Sequence, residues 1–221
     1  MNKTNKIWLI TLGASALILI TLGVIYRRSI SKGVSVFKKK LVSDALAEWE
    51  AWNGQGRIKE GSSTTMERLR KYWKEGTNTN NSDSYYINTP WSATFISYLF
   101  RKAGAGDDFK YNPSHSGYIV SAIKNRKAKN NNPFQGYKPN EVKVELGDLV
   151  CFPRQSGVNY DSTGSYKGHC DLVVEINDSQ AVSIGGNVSD SVTKTIVPLS
   201  NGKIDMSKQK KGYFVVIKNN K

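Results

Sequence analysis

Residues 88–100 read NTPWSATFISYLF, and the reading of this stretch decides the fold. Thr89 is a helix-capping residue type, Pro90 suits a first helical position, and Ser92 then falls in the first turn. Trp91, Phe95, Tyr98 and Leu99 recur at the spacing of one buried helix face, and Gly104 supplies the stop. A hydroxyl at the mouth of an otherwise apolar helix either starts the helix or stands where a nucleophile belongs.

Upstream, Phe37, Leu41, Ala45, Trp49 and Trp52 keep helical spacing up to the break at NGQG. A second helix is predicted from about Ser62 to Glu75, with Met66, Leu69, Tyr72 and Trp73 as its core stripe. GTNTNNSDS reads as a surface loop. Downstream, a helix near Ser114 carries Tyr118, Ile119, Ala122 and Ile123. Beyond KNRKAKNNN the period changes to that of strands. GDLVCF, HCDLVVEI, AVSIGG, SVTKTIVPL and YFVVIK are short, β-branched and bounded by Gly, Asn, Asp or Pro. Helices first and strands after, with no helix between strands, predicts an α+β domain with an antiparallel sheet or half-barrel.

The first 60 residues read differently. Residues 7–26, IWLITLGASALILITLGVIY, carry no charge and are long enough as a helix to cross a hydrocarbon core of about 30 Å. No small-residue cleavage site follows the run, which reads as an uncleaved single-span anchor. The expected organisation is a tail over 1–6, the anchor over 7–26, a basic juxtamembrane segment with an amphipathic helix over 27–60, and the α+β domain over 61–221. Lys3 and Lys6 precede the span, while Arg27, Arg28, Lys32 and Lys38 to Lys40 follow it. Taken literally, the positive-inside rule keeps the body in the cytoplasm. This opposes the periplasm-facing placement that the resemblance described below implies.

The chain has 221 residues, 38% of them hydrophobic, and a net charge of +14, so it can build a core and its surface favours anionic partners. No zinc spacing, RNA-binding aromatic signature or Gly-rich phosphate loop is present, so no nucleic acid and no cofactor are expected. His115, His169, Cys170 and Asp171 lack the spacing of a metal site. Cys151 and Cys170 form either one disulfide or two buried thiols.

With two histidines in the chain, the choice of a base is short. His169 begins a strand after the Gly/Ser-rich loop RQSGVNYDSTGSYKG. Strand alternation puts His169 and Asp171 on one face and Cys170 on the other, so Cys170 is a poor nucleophile. Asn187 ends the next strand, where its amide oxygen is expected to orient the His169 ring. Ser92, at a helix N-terminus whose N–H groups favour negative charge, completes the expected catalytic set of Ser92, His169 and Asn187. Trp91, His115, Asp171 and Asp190 are the candidate substrate-binding residues. His115 is either a packing histidine at a helix start or a second functional one opposite His169, and Asp171 and Asp190 form polar rims. Asp148 in LGDLV serves the turn before its strand.

The segment PWSATFISYLFRKAG resembles the WCAAFVSW…AG segment of CHAP and NlpC-type bacterial cell-wall hydrolases, members of the papain-like superfamily. LGDLVCF is similar to their PGDIVVF, GHCDLVV to their GHVGIVV, and SIGGNVSDSV to their GGNQSNSV. LRKYWKEG and NPSHSGYI extend the likeness, which covers about residues 85–217 and points to a bacterial branch whose function is not established. The resemblance implies a papain-like fold and action on, or binding of, peptidoglycan or another anionic envelope polymer. It places the family histidine on His169, the polar third residue on Asn187, and the nucleophilic cysteine on Ser92. Serine is much less acidic than a thiol of pKa about 8.5, so a base must take its proton during attack. Three readings of Ser92 follow: a working nucleophile, a relic in a protein that binds wall fragments without cutting, or a first-turn serine with the chemistry elsewhere.

Overall fold

The computed structural model describes residues 33–54 and 56–221. The expected tail and anchor over residues 1–26 lie outside the described residues. Among those described, no helix is long and apolar enough to cross a membrane.

Val36–Lys221 pack as one unit. Helix α1 (Val36–Ala51) extends the stripe seen in the sequence, and Leu41, Ala45 and the following Trp52 are fully buried in the main core. Helix α2 (Ser63–Lys71) starts where Ser62 accepts the Thr65 N–H, and Arg68, Arg70 and Lys71 fill its last turn against the dipole. It runs into a single π turn, Tyr72–Gly76. That turn lies against α4 (Ser92–Ala103), where a Cβ on Gly76 would stand 2.5 Å from the Thr94 carbonyl oxygen. Within the expected loop, Asp83–Asn88 forms a short helix, α3, capped by Ser82. Helix α5 (His115–Ala128) completes five helices among the described residues.

The first nine residues of α4, Ser92 to Phe100, are all buried, so the helix is enclosed rather than half-exposed. Gly104 ends it in the left-handed region, as its position suggested. The start differs from expectation. Trp91, not Thr89, is the N-cap, and no side chain caps the helix.

The strands are β1 (Phe134–Tyr137), β2 (Leu149–Pro153), β3 (Gly168–Ile176), β4 (Gln180–Gly185), β5 (Thr193–Ser200), β6 (Lys203–Ile204) and β7 (Val215–Asn219). They form one curled antiparallel half-barrel in the order β1-β7-β2-β3-β4-β5-β6. The fold is therefore α+β. The strands β1 and β6 carry no alternating pattern long enough to read, and each gains its place by pairing at an end of the sheet.

Both sheet faces are covered. Leu149, Cys151, Cys170, Leu172 and Val174 join the aromatic-rich core beneath the helices, whereas Val150, Phe152, Val173, Ala181, Val197 and Val216 fill a second core. This is why LVCF is buried at four successive positions instead of alternating. Cys151 and Cys170 stand opposite each other in the β2–β3 register and form a disulfide.

Candidate functional site

Ser92 is the first residue of α4 and His115 the first of α5, so two helix starts face each other. Their approach is set one helical turn further on. The Ser97 hydroxyl donates to the Asn112 carbonyl and accepts the Asn112 N–H, both at 3.1 Å, tying α4 to the chain that leads into α5. Asn112 Oδ1 then takes the Ser114 N–H at 2.8 Å. The result is a 2.7 Å hydrogen bond between Ser92 Oγ and His115 Nε2.

The other ring nitrogen of His115 meets two groups. The Tyr118 hydroxyl lies in a short hydrogen bond to Nδ1, and the Cys170 N–H donates to the same atom at 3.1 Å. The β3–β4 ladder opens at Leu172 and Ile184, so Cys170 lies two residues before its first pair. Ser92, His115 and Tyr118 are each at most 5% exposed. Burial, then the neighbouring His169 and Arg154, hold the His115 imidazole well below its usual range.

His169 and Asp171 share a face of β3, two residues apart, as alternation requires. His169 Nε2 lies 2.8 Å from Asp171 Oδ1, and neither side chain has exposed surface. Asp171 Oδ2 lies 3.4 Å from the Lys211 ammonium. Burial raises the Asp171 carboxyl, but the His169 ring and Lys211 outweigh it and hold it below the usual range. The His169 ring lies between Phe152, at 5.2 Å between centroids, and His115, at 4.9 Å. His169 Nδ1 is buried with no hydrogen-bond partner. Because the carboxylate can only accept, a neutral His169 keeps its proton on Nε2 and presents Nδ1 as a bare acceptor.

Two glycines make room for this cluster. A Cβ on Gly185 would stand 2.0 Å from Asp171 Oδ1 and 3.0 Å from His169 Nε2, and one on Gly186 would stand 2.7 Å from the Phe95 ring. The GG of SIGGNV thus lets β4 pass beneath the His–Asp pair and lets α4 lie on the strand end.

Of the expected residues, the structure pairs Ser92 with His115 and His169 with Asp171, with the two imidazole centroids 4.9 Å apart. No hydrogen bond forms between Ser92 and His169, the expected base. The structure does not place Asn187 on His169, whose Nε2 is taken by Asp171 and whose Nδ1 has no partner. Asn187 lies two residues past the end of β4, in a turn with φ of 53°. Trp91 lines no cleft. It is fully buried, stacks on Trp52 at 5.1 Å, and donates its indole N–H to the Glu60 carboxylate. Asp190 is on the exposed loop after Asn187, where its carbonyl accepts the Glu60 N–H at 2.9 Å.

Sequence reasoning missed the roles of Tyr118 and Lys211. Tyr118, at i+3 from His115, has the spacing of the core stripe, although helix geometry also puts it beside that ring. Lys211 is one lysine among many on a chain of net charge +14, and no local pattern marks it.

The cluster holds the residue types for acyl transfer: a hydroxyl at a helix start, an imidazole aligned by a carboxylate, and a second imidazole on the hydroxyl. No curated protein and no solved structure matches the chain. The family described as "Uncharacterized protein conserved in bacteria (DUF2272)" matches residues 47–217, more than half of the sequence, and the chain belongs to it.

Proposed function

We propose that this protein is a papain-like amide hydrolase of the cell envelope, acting on peptidoglycan peptides from a membrane anchor over residues 7–26 with its body on the wall side. One observation carries the reading: the aligned pair Asp171–His169 leaves Nδ1 as a buried acceptor without a partner, one ring away from the His115 that holds the Ser92 oxygen. A buried polar atom without a partner is costly, and on an imidazole aligned by a carboxylate a catalytic role accounts for keeping it.

In the proposed reaction Ser92 Oγ bonds to an amide carbonyl carbon and its proton passes to His169 Nδ1, directly or across one water. N–H groups of the first turn of α4 hold the oxyanion. The C–N bond then breaks, the proton moves from His169 to the leaving amine, and an acyl-serine remains. Water bonds to the ester carbon and gives a proton to His169. The acyl C–Oγ bond then breaks, His169 returns the proton to Oγ, and the carboxylic acid leaves. Asp171 takes the orienting role that the sequence suggested for Asn187. Support for the substrate class comes from the ordered likeness to cell-wall hydrolases and from a charge of +14, which suits an anionic envelope polymer.

The test is incubation of the full chain with purified peptidoglycan. Muropeptides released by the wild type and lost in both Ser92→Ala and His169→Ala support the reading; no release by the wild type removes it. Ser92 is 5% exposed, which favours a second reading, a wall-binding protein that does not cut. Co-sedimentation with peptidoglycan that survives Ser92→Ala, without product, selects that reading.

A further inference from the structure

Two imidazoles lie with centroids 4.9 Å apart, one of them on the Ser92 hydroxyl, and residue type does not tell their jobs apart. Their hydrogen bonds do. A backbone N–H can only donate, so the Cys170 N–H at 3.1 Å requires a lone pair on His115 Nδ1. The Tyr118 hydroxyl meets the same nitrogen, which has no proton to give, so the hydroxyl donates too. A neutral ring with a bare Nδ1 carries its proton on Nε2. That nitrogen is the one 2.7 Å from Ser92 Oγ, and the N–H therefore points at the oxygen. In this tautomer His115 has no lone pair to offer the serine proton.

We propose that His115 serves Ser92 as a fixed hydrogen-bond donor and not as its base, and that Tyr118 is the positioning residue which, with the Cys170 N–H, sets that tautomer. The inference rests on the reading of Ser92 as nucleophile. A donor aimed at Oγ binds a developing alkoxide more strongly than a neutral hydroxyl, because the hydrogen bond becomes charge-assisted. It thus offsets part of the acidity that serine lacks relative to cysteine. With its lone pair engaged, Oγ directs its own proton elsewhere, and the bare acceptor of the cluster is His169 Nδ1, on the ring whose centroid is 4.9 Å from that of His115. His115 keeps its proton throughout the acylation step, while the serine O–H bond breaks toward His169.

The chain has two histidines, so labelling histidine with nitrogen-15 in the full chain gives four ring signals to assign. The expected result at neutral pH is a pyridine-type shift for His115 Nδ1 and a pyrrole-type shift for Nε2. A protonated Nδ1 on His115 overturns the proposal. Tyr118→Phe is expected to move the His115 Nδ1 signal and leave the His169 signals in place; an unmoved Nδ1 signal overturns the role of Tyr118. In turnover, His115→Gln keeps an N–H to donate and is expected to stay within about tenfold of wild type. His169→Gln is expected to fall roughly 10²–10⁴-fold, the usual share of a general base. An equal fall in both variants overturns the division of labour. A wild type that cleaves nothing removes the proposed function alone, since the nitrogen shifts still decide whether His115 is donor or base.

Discussion

Asp148 and Asp171 are two buried aspartates, one in the turn just before β2 and one on β3, each without exposed surface. Asp148 is saturated. Its Oδ2 takes the Lys218 ammonium at 2.6 Å and the Glu145 N–H at 2.8 Å, and its Oδ1 takes the Asn219 N–H at 2.9 Å. Lys218 in turn reaches the Lys143 carbonyl and the Glu145 carboxylate, each at 3.0 Å. Asp171 has a close bond to His169 and a long one to Lys211, and its imidazole partner is left with an idle nitrogen. Complete satisfaction marks a carboxylate that holds the fold together. Under the proposed function, the acceptor left over on His169 is the one that takes the Ser92 proton.

The largest expected effect tests Asp171. Asp171→Asn keeps an oxygen near His169 but no longer compels the Nε2–H tautomer, and hydrolysis is expected to fall by roughly 10²–10⁴-fold with little loss of stability. A variant that unfolds but keeps its specific activity in the folded fraction would put Asp171 in the same class as Asp148. Asp148→Ala should do the reverse. It removes the closest partner of the Lys218 ammonium and leaves two backbone N–H groups without an acceptor, and is expected to cost about 3–5 kcal/mol in urea unfolding. A loss below about 1 kcal/mol would show that the pair is not the structural member of the comparison.

The disulfide joins β2, which follows Asp148, to β3, which carries Asp171. It closes a loop with a sequence separation of 19 and is expected to contribute about 3 kcal/mol. Replacing Cys151 and Cys170 together by alanine and comparing urea midpoints measures this; an unchanged midpoint defeats it.

The smallest effect is a pH dependence. His115 titrates well below its usual value in the fold and near 6.5 in the unfolded chain. Between those values the unfolded chain holds a proton that the fold does not, so this contribution is complete above about pH 6.5 and is lost as pH falls. The expected slope is up to about 1.4 kcal/mol per pH unit. The stability difference between wild type and His115→Gln should narrow over that window, and a difference constant from pH 7.5 to 5 refutes it.

The sequence by itself determined what depends on local period. Apolar residues at helical spacing placed α1, α2, α4 and α5, and β-branched runs placed five of the seven strands. Alternation alone put His169 and Asp171 on one face, because successive strand residues point to opposite sides. The turn role of Asp148 follows from its position before a strand, and its bond to the Glu145 N–H shows it. Tertiary structure decided the rest. Ser92 and His115 are 23 residues apart on separate helices, and they meet because Ser97 grips the backbone of Asn112. The pairing of Cys151 with Cys170 depends on the β2–β3 register, and the exclusion of Asn187 depends on where the β4 ladder ends. Local backbone geometry repeats along the chain and can be read from spacing. The meeting of two helix starts at one strand end is fixed by packing among distant residues, and no local period encodes it.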